Sequence, residues 1–125
     1  MAAPLPPAAG IARLYGYAGC STCRKAIAWL REHGHQPEPI DITLQPPSTA
    51  ELMAAIAQLG RSRLFNTSGQ SYRALGAAAV KAMDDEQAVA ALAADGRLVK
   101  RPFLIASDGR TLTGFRAEEW EALLG

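Results

Sequence analysis

The sequence lacks the features of secreted, membrane-bound and nucleic-acid-binding proteins. Its two cysteines are too few for a framework of several disulfides or for a four-thiolate zinc site. No apolar run approaches the roughly 20 residues that cross a bilayer, and the first ten residues do not resemble a secretory leader. The formal charge is only +1, so we expect no direct contact with nucleic acid or a membrane. These absences favour a cytoplasmic protein.

We also expect no bound metal or other cofactor. His33 and His35 are the only histidines, and they follow the cysteines by ten or more residues, at the far end of one predicted helix. At a rise of about 1.5 Å per residue they would lie roughly 15 Å from the cysteines, too far to complete a zinc site.

The apolar pattern predicts one domain over residues 11–125, preceded by a disordered tail over residues 1–10. That first stretch is rich in proline and alanine and has no periodic pattern. A short apolar run over residues 11–17 indicates a buried strand, and a helix is predicted from Ser21 to His33. Ile40 and Ile42 alternate with polar residues and indicate a second strand, which completes a β-α-β unit.

The rest of the chain predicts a helical region followed by a hairpin and a last helix. Ser48 and Glu51 form a capping-box pattern at the start of one helix, and further helical segments extend to Ala94. The segments PFLIA and RTLTGF then predict two strands, and Trp120 lies in the final helix. The predicted fold class is α/β: a thioredoxin-like, mixed four-stranded sheet with a helical insertion between its β-α-β and β-β-α halves.

The pair Cys20 and Cys23 is the strongest candidate for chemistry. It follows a strand and opens a helix, where the free backbone N–H groups stabilise a thiolate. Ser21 and Thr22, between the two cysteines, are candidate substrate-binding residues. Cys20 is therefore the predicted nucleophile, and Cys23 could resolve a mixed disulfide. Two buried, inert thiols are the alternative interpretation.

Several cationic residues could assist the Cys20 thiolate or bind its substrate. Arg24 follows directly in the same helix, and Arg63 lies after the second helix. Arg101 precedes Pro102 at a predicted strand start, and Arg101 could bind an anion. The resemblance to thioredoxin-like folds implies that Pro102 is a cis-proline that faces the cysteine loop and leaves backbone groups free for a substrate. Each of these cations could equally be a solvated surface residue.

Three segments together resemble the arsenate reductase (ArsC)-like family of the thioredoxin fold, in particular its YffB- and Spx-type subgroup. They are LYGYAGCSTCRKAIAWLREHG, LFNTSGQSYRALG and DGRLVKRPFLIASDGRTLTGF. The resemblance implies that Cys20 attacks the substrate, that Arg101 and Arg63 stabilise an anion, and that glutathione, with or without glutaredoxin, regenerates the cysteine. The family's arginine late in the final hairpin aligns near Gly114 and Phe115, where no arginine stands, and this speaks against efficient arsenate reduction.

The sequence thus favours a monomeric thiol-disulfide oxidoreductase, namely a glutathione-dependent thiol reductase. The alternative is an Spx-like redox regulator that binds RNA polymerase, because those regulators share the CxxC segment. Either a small-molecule substrate or the polymerase would then be the partner.

Overall fold

The computed structural model describes residues 5–125, which form a mixed sheet with helices on both faces. The strands are β1 (Ile11–Gly16), β2 (Ile40–Asp41), β3 (Phe103–Ala106) and β4 (Thr111–Thr113), in the spatial order β2-β1-β3-β4. The helices are α1 (Ser21–Glu32), α2 (Thr49–Leu59), α3 (Gln70–Leu75), α4 (Ala77–Ala82), α5 (Asp85–Ala94) and α6 (Ala117–Leu124). β2 is parallel to β1, whereas β3 is antiparallel to both β1 and β4. The predicted fold class is confirmed, with α2 to α5 as the helical insertion.

The sheet has an apolar core on each face because neighbouring side chains of a strand point in opposite directions. Tyr15 and Phe103 belong to the core that includes residues of α2 and α5. Leu14 and Leu104, their neighbours along the same strands, belong to the core that includes residues of α1 and α6. The two strands pair in register, Leu14 opposite Leu104, so each face receives a continuous apolar layer. No helix in residues 5–125 is long and apolar enough to span a membrane.

The helix starts follow from local side-chain chemistry. The Ser48 hydroxyl accepts the Glu51 backbone N–H at 3.1 Å, and the Glu51 carboxylate accepts the Ser48 N–H at 2.9 Å. This confirms the predicted capping box at α2. Asp84 and Gln87 form the same reciprocal pair at the start of α5.

The sequence predicts a disordered tail over residues 1–10, whereas residues 6–10 contact the domain in the structure. Ala8 is buried in the core beside α6, and its N–H donates to the Leu123 carbonyl at 2.7 Å. Gly10 exchanges hydrogen bonds with Ser107, and the Pro6 carbonyl accepts from Arg110. A small side chain and backbone hydrogen bonds hold this segment, and neither produces a periodic apolar pattern. Residues 1–4 of that prediction lie outside the described residues.

Candidate functional site

Cys20 is the N-cap residue of α1. Its sulfur accepts a hydrogen bond from the Cys23 backbone N–H at 3.3 Å, and its own N–H donates to the Tyr17 carbonyl at 3.0 Å. The tight turn after β1 therefore fixes the sulfur over the first turn of the helix, where unpaired N–H groups and the helix dipole favour a negative charge. Cys20 is half-buried, whereas Cys23 is only 1% exposed.

The two thiols differ in acidity. Burial of Cys20 opposes its ionisation, but hydrogen bonds from Cys23 and Arg101 outweigh burial and hold the pKa of Cys20 below its ordinary value. Burial raises the pKa of the Cys23 thiol to about 12, and its hydrogen bond to Cys20 acts in the same direction. Cys20 is thus the more acidic thiol of the pair, and Cys23 stays protonated at neutral pH and donates a hydrogen bond to it.

Arg101 lies two residues before β3, next to the thiol. Its peptide bond to Pro102 is cis, and its guanidinium carbon is 5.3 Å from the centre of the Tyr17 ring. The ring face attracts the cation and so orients it toward Cys20. The Pro102 carbonyl accepts the Gly114 N–H at 2.9 Å, so that carbonyl is engaged within the protein.

Cys20 opens into a cavity of about 450 Å³. Four cationic residues line it together with the thiol: Arg63, Lys100, Arg101 and Arg116. The turn after Phe65 lines it as well, through Asn66, Ser68 and Gly69. Because a cavity with several cations raises the local concentration of anions, this arrangement suits a negatively charged substrate. Among residues 5–125 no group of three His, Cys, Asp or Glu side chains is arranged to hold a metal ion.

The structure brings most of the predicted site residues together, but not all of them. Thr22 lines the Cys20 cavity, whereas Ser21 is an exposed first-turn residue that does not. Arg24 is also separate from the cavity, contrary to its prediction as a substrate ligand. Its guanidinium donates to the Ala18 carbonyl at 2.8 Å and lines another cavity, of about 470 Å³. The hydrogen bond to the loop before α1 thus directs this guanidinium to the neighbouring cavity and not to the one that Cys20 lines.

Arg63 lines the cavity, but its charge is already paired. Its Nη2 lies 3.0 Å from Glu119 Oε1, and its Nη1 lies 3.3 Å from Glu119 Oε2. Nη2 also donates to the Thr113 carbonyl at 3.2 Å. Glu119 belongs to α6, so this bidentate pair joins the last helix to the cavity wall.

Arg116 is the functional candidate that the sequence analysis missed. The hairpin arginine expected near Gly114 and Phe115 is absent there, but Arg116 follows at the next position and lines the cavity. Gly114 has a φ of 69°, and its carbonyl accepts the Trp120 indole N–H at 3.1 Å. This turn directs the chain back past Cys20. In the sequence, Arg116 could have been recognised as the arginine directly after the GF pair. Its place beside the cavity depends on the turn at Gly114.

A cysteine at a helix N-terminus beside a cation is a typical setting for reactive thiols, and this site is of the thiol-redox class. The chain belongs to the ArsC family, whose model matches residues 15–123. The uncharacterised protein YusI of Bacillus subtilis is 41% identical over 111 residues, which are 86% of this chain and 92% of YusI.

Solved structures agree with this assignment. A possible arsenate reductase from Streptococcus mutans matches with a TM-score of 0.79 and 35% identity, over 91% of this chain and 98% of that protein. The YffB protein matches with a TM-score of 0.77 and 31% identity, over 90% of this chain and 97% of YffB. The predicted resemblance to the ArsC-like family and its YffB-type subgroup is confirmed.

Proposed function

We propose that this protein is a glutathione-dependent thiol reductase that uses the Cys20 thiolate as its nucleophile. One observation carries the proposal: a half-buried thiol with a lowered pKa faces a cavity lined by cations. Glutathione carries two carboxylates, and such a cavity attracts a substrate of that charge. Cysteine chemistry supplies the reaction without a bound cofactor.

The reaction begins on a mixed disulfide between glutathione and a second thiol. The Cys20 thiolate attacks the glutathione sulfur, the disulfide bond breaks, and the second thiol leaves and takes up a proton. Cys20 is now joined to glutathione. A second glutathione thiolate attacks the glutathione sulfur of this intermediate, and Cys20 leaves as a thiolate with release of glutathione disulfide. The net reaction reduces one mixed disulfide and oxidises one glutathione.

External glutathione is a better resolving group here than Cys23. The thiolate is the attacking species in disulfide exchange, and the burial of Cys23 opposes its ionisation whether or not Cys20 carries glutathione. Arg101 stays close to the reacting sulfur and can neutralise a substrate carboxylate. In this mechanism Cys23 supports the thiolate by hydrogen bonding.

The experiment measures reduction of the mixed disulfide of glutathione and 2-mercaptoethanol by reduced glutathione. We expect turnover by the wild type, loss of turnover to the background rate in Cys20→Ser, and retained turnover in Cys23→Ser. Wild-type turnover no faster than background, or full activity in Cys20→Ser, would disprove the proposed function. Loss of activity in Cys23→Ser with an accumulated Cys20 adduct would instead make Cys23 the resolving group.

A further inference from the structure

The pairing of Arg63 with Glu119 lowers the number of available positive charges around Cys20. Lys100, Arg101 and Arg116 also line the cavity, and within residues 5–125 none of them has a carboxylate at ion-pair distance. Arg63 is the cavity cation that does, with both of its terminal nitrogens directed to one carboxylate. A bidentate pair of this kind neutralises the guanidinium and fixes its orientation.

Two hydrogen bonds between Arg63 and Thr113 also fix the position of Arg63 in the ion pair. The Arg63 guanidinium donates to the Thr113 carbonyl, and the Thr113 hydroxyl donates to the Arg63 carbonyl. The side chains of Arg63 and Glu119 are 25% and 30% exposed, so solvent screens their interaction only in part. An anion that recruits Arg63 must therefore compete with Glu119.

We propose that Glu119 sets the substrate selectivity of the Cys20 cavity by keeping Arg63 from binding anions. This inference rests on the proposed function, since it takes Cys20 as the reacting group. A small tetrahedral oxyanion such as phosphate or arsenate needs several converging cations, and the loss of one weakens its binding. A disulfide reacts through sulfur and depends less on that charge. Glu119 thus acts through Arg63 as a positioning residue that favours disulfides over oxyanions.

The first test compares the alkylation of Cys20 by anionic iodoacetate and neutral iodoacetamide. The ratio of the two rates reports the available positive charge, and the neutral reagent corrects for any change in thiol acidity. Tandem mass spectrometry of the tryptic peptide over residues 14–24 distinguishes Cys20 from Cys23. Glu119→Gln should raise the ratio about three- to tenfold, as expected when the positive charge of one nearby guanidinium becomes available to an anion at a partly screened site.

Three further variants separate this role from a structural one. Glu118→Gln removes an exposed carboxylate from the same helix and should leave the ratio unchanged. Glu119→Asp retains the negative charge, and its ratio of iodoacetate to iodoacetamide rates should stay close to that of the wild type. In an Arg63→Met background, Glu119→Gln should lose its effect. An equal rise in Glu118→Gln, or an undiminished rise without Arg63, would overturn the proposal.

A second measurement does not depend on cysteine reactivity. Inorganic phosphate is titrated into each variant while the backbone amide shifts of Cys20 and Arg101 are followed by NMR. We expect the phosphate dissociation constant of Glu119→Gln to fall by a factor similar to the rise in the alkylation ratio. If Glu119→Gln and Glu118→Gln bind phosphate equally, the inference fails. If neutral iodoacetamide never labels Cys20, the proposed function fails, and the phosphate titration still decides the role of Glu119.

Discussion

The guanidinium of Arg101 lies over the ring of Tyr17, with its central carbon 5.3 Å from the ring centre. Tyr17 begins the loop that follows β1, and its carbonyl also accepts the Cys20 N–H. The same residue therefore holds both the nucleophile and the cation that lowers the pKa of that nucleophile. The acidity of Cys20 depends in this way on an exposed aromatic side chain.

Replacing the Tyr17 ring should raise the pKa of Cys20 and so lower the fraction of Cys20 present as thiolate. In Tyr17→Leu we expect the rate of Cys20 alkylation by iodoacetamide at pH 7 to fall about two- to fivefold, because a surface cation–π contact is worth roughly 0.5–1 kcal/mol. Tyr17→Phe keeps the ring face and is the matched control, with a rate close to the wild type. Equal rates in Tyr17→Leu and Tyr17→Phe would show that the ring does not orient Arg101.

The buried thiol predicts a loss of stability at alkaline pH. The folded protein raises the pKa of Cys23 to about 12, whereas a free cysteine titrates near 8.5. The protonated thiol thus contributes its full stability below about pH 8.5 and loses it as the pH rises toward 12. Between these limits the free energy of unfolding of the wild type should fall more steeply than that of Cys23→Ser, by up to about 1.4 kcal/mol per pH unit. The free energies are measured by urea unfolding at each pH. If they fall in parallel for the wild type and Cys23→Ser, the raised pKa of Cys23 is contradicted.

The docked N-terminal segment should matter for stability. Ala8→Glu places a carboxylate among Trp120, Leu123 and Leu124, and we expect it to lower the free energy of unfolding by about 1–3 kcal/mol. Ala9→Glu adds the same charge at an exposed neighbour and should change stability by less than about 0.5 kcal/mol. Chemical denaturation of the two variants checks this. A similar small effect in both variants would show that Ala8 is not buried in solution and that the segment is disordered, as the sequence predicts.

Local patterns were sufficient to predict the core of the fold. The period of apolar residues, the Ser48 capping box and the turn residues of the final hairpin act over a few positions and are read directly from the sequence. The position of Cys20 followed from the same rules, because a strand, a tight turn and a helix start are each local. Arg101 was found through its neighbour Pro102.

The parts that could not be predicted depend on contacts between distant segments. Arg63 and Glu119 are 56 positions apart, and no local pattern indicates that they pair. Arg24 was expected beside Cys20 from its sequence position, but the Ala18 carbonyl decides where its side chain lies. Ala8 has no amphipathic pattern and is buried only because α6 provides a surface for it.

The pH dependence of Cys20 alkylation by iodoacetamide tests the central claim most directly. The wild type should show a midpoint clearly below the free value of about 8.5, with Cys23 unlabelled through neutral pH. Arg101→Gln should move that midpoint upward, whereas Lys81→Gln, an exposed cation on α4, should leave it in place. A wild-type midpoint at or above the free value would contradict an activated thiolate and, with it, the assignment of Cys20 as the nucleophile.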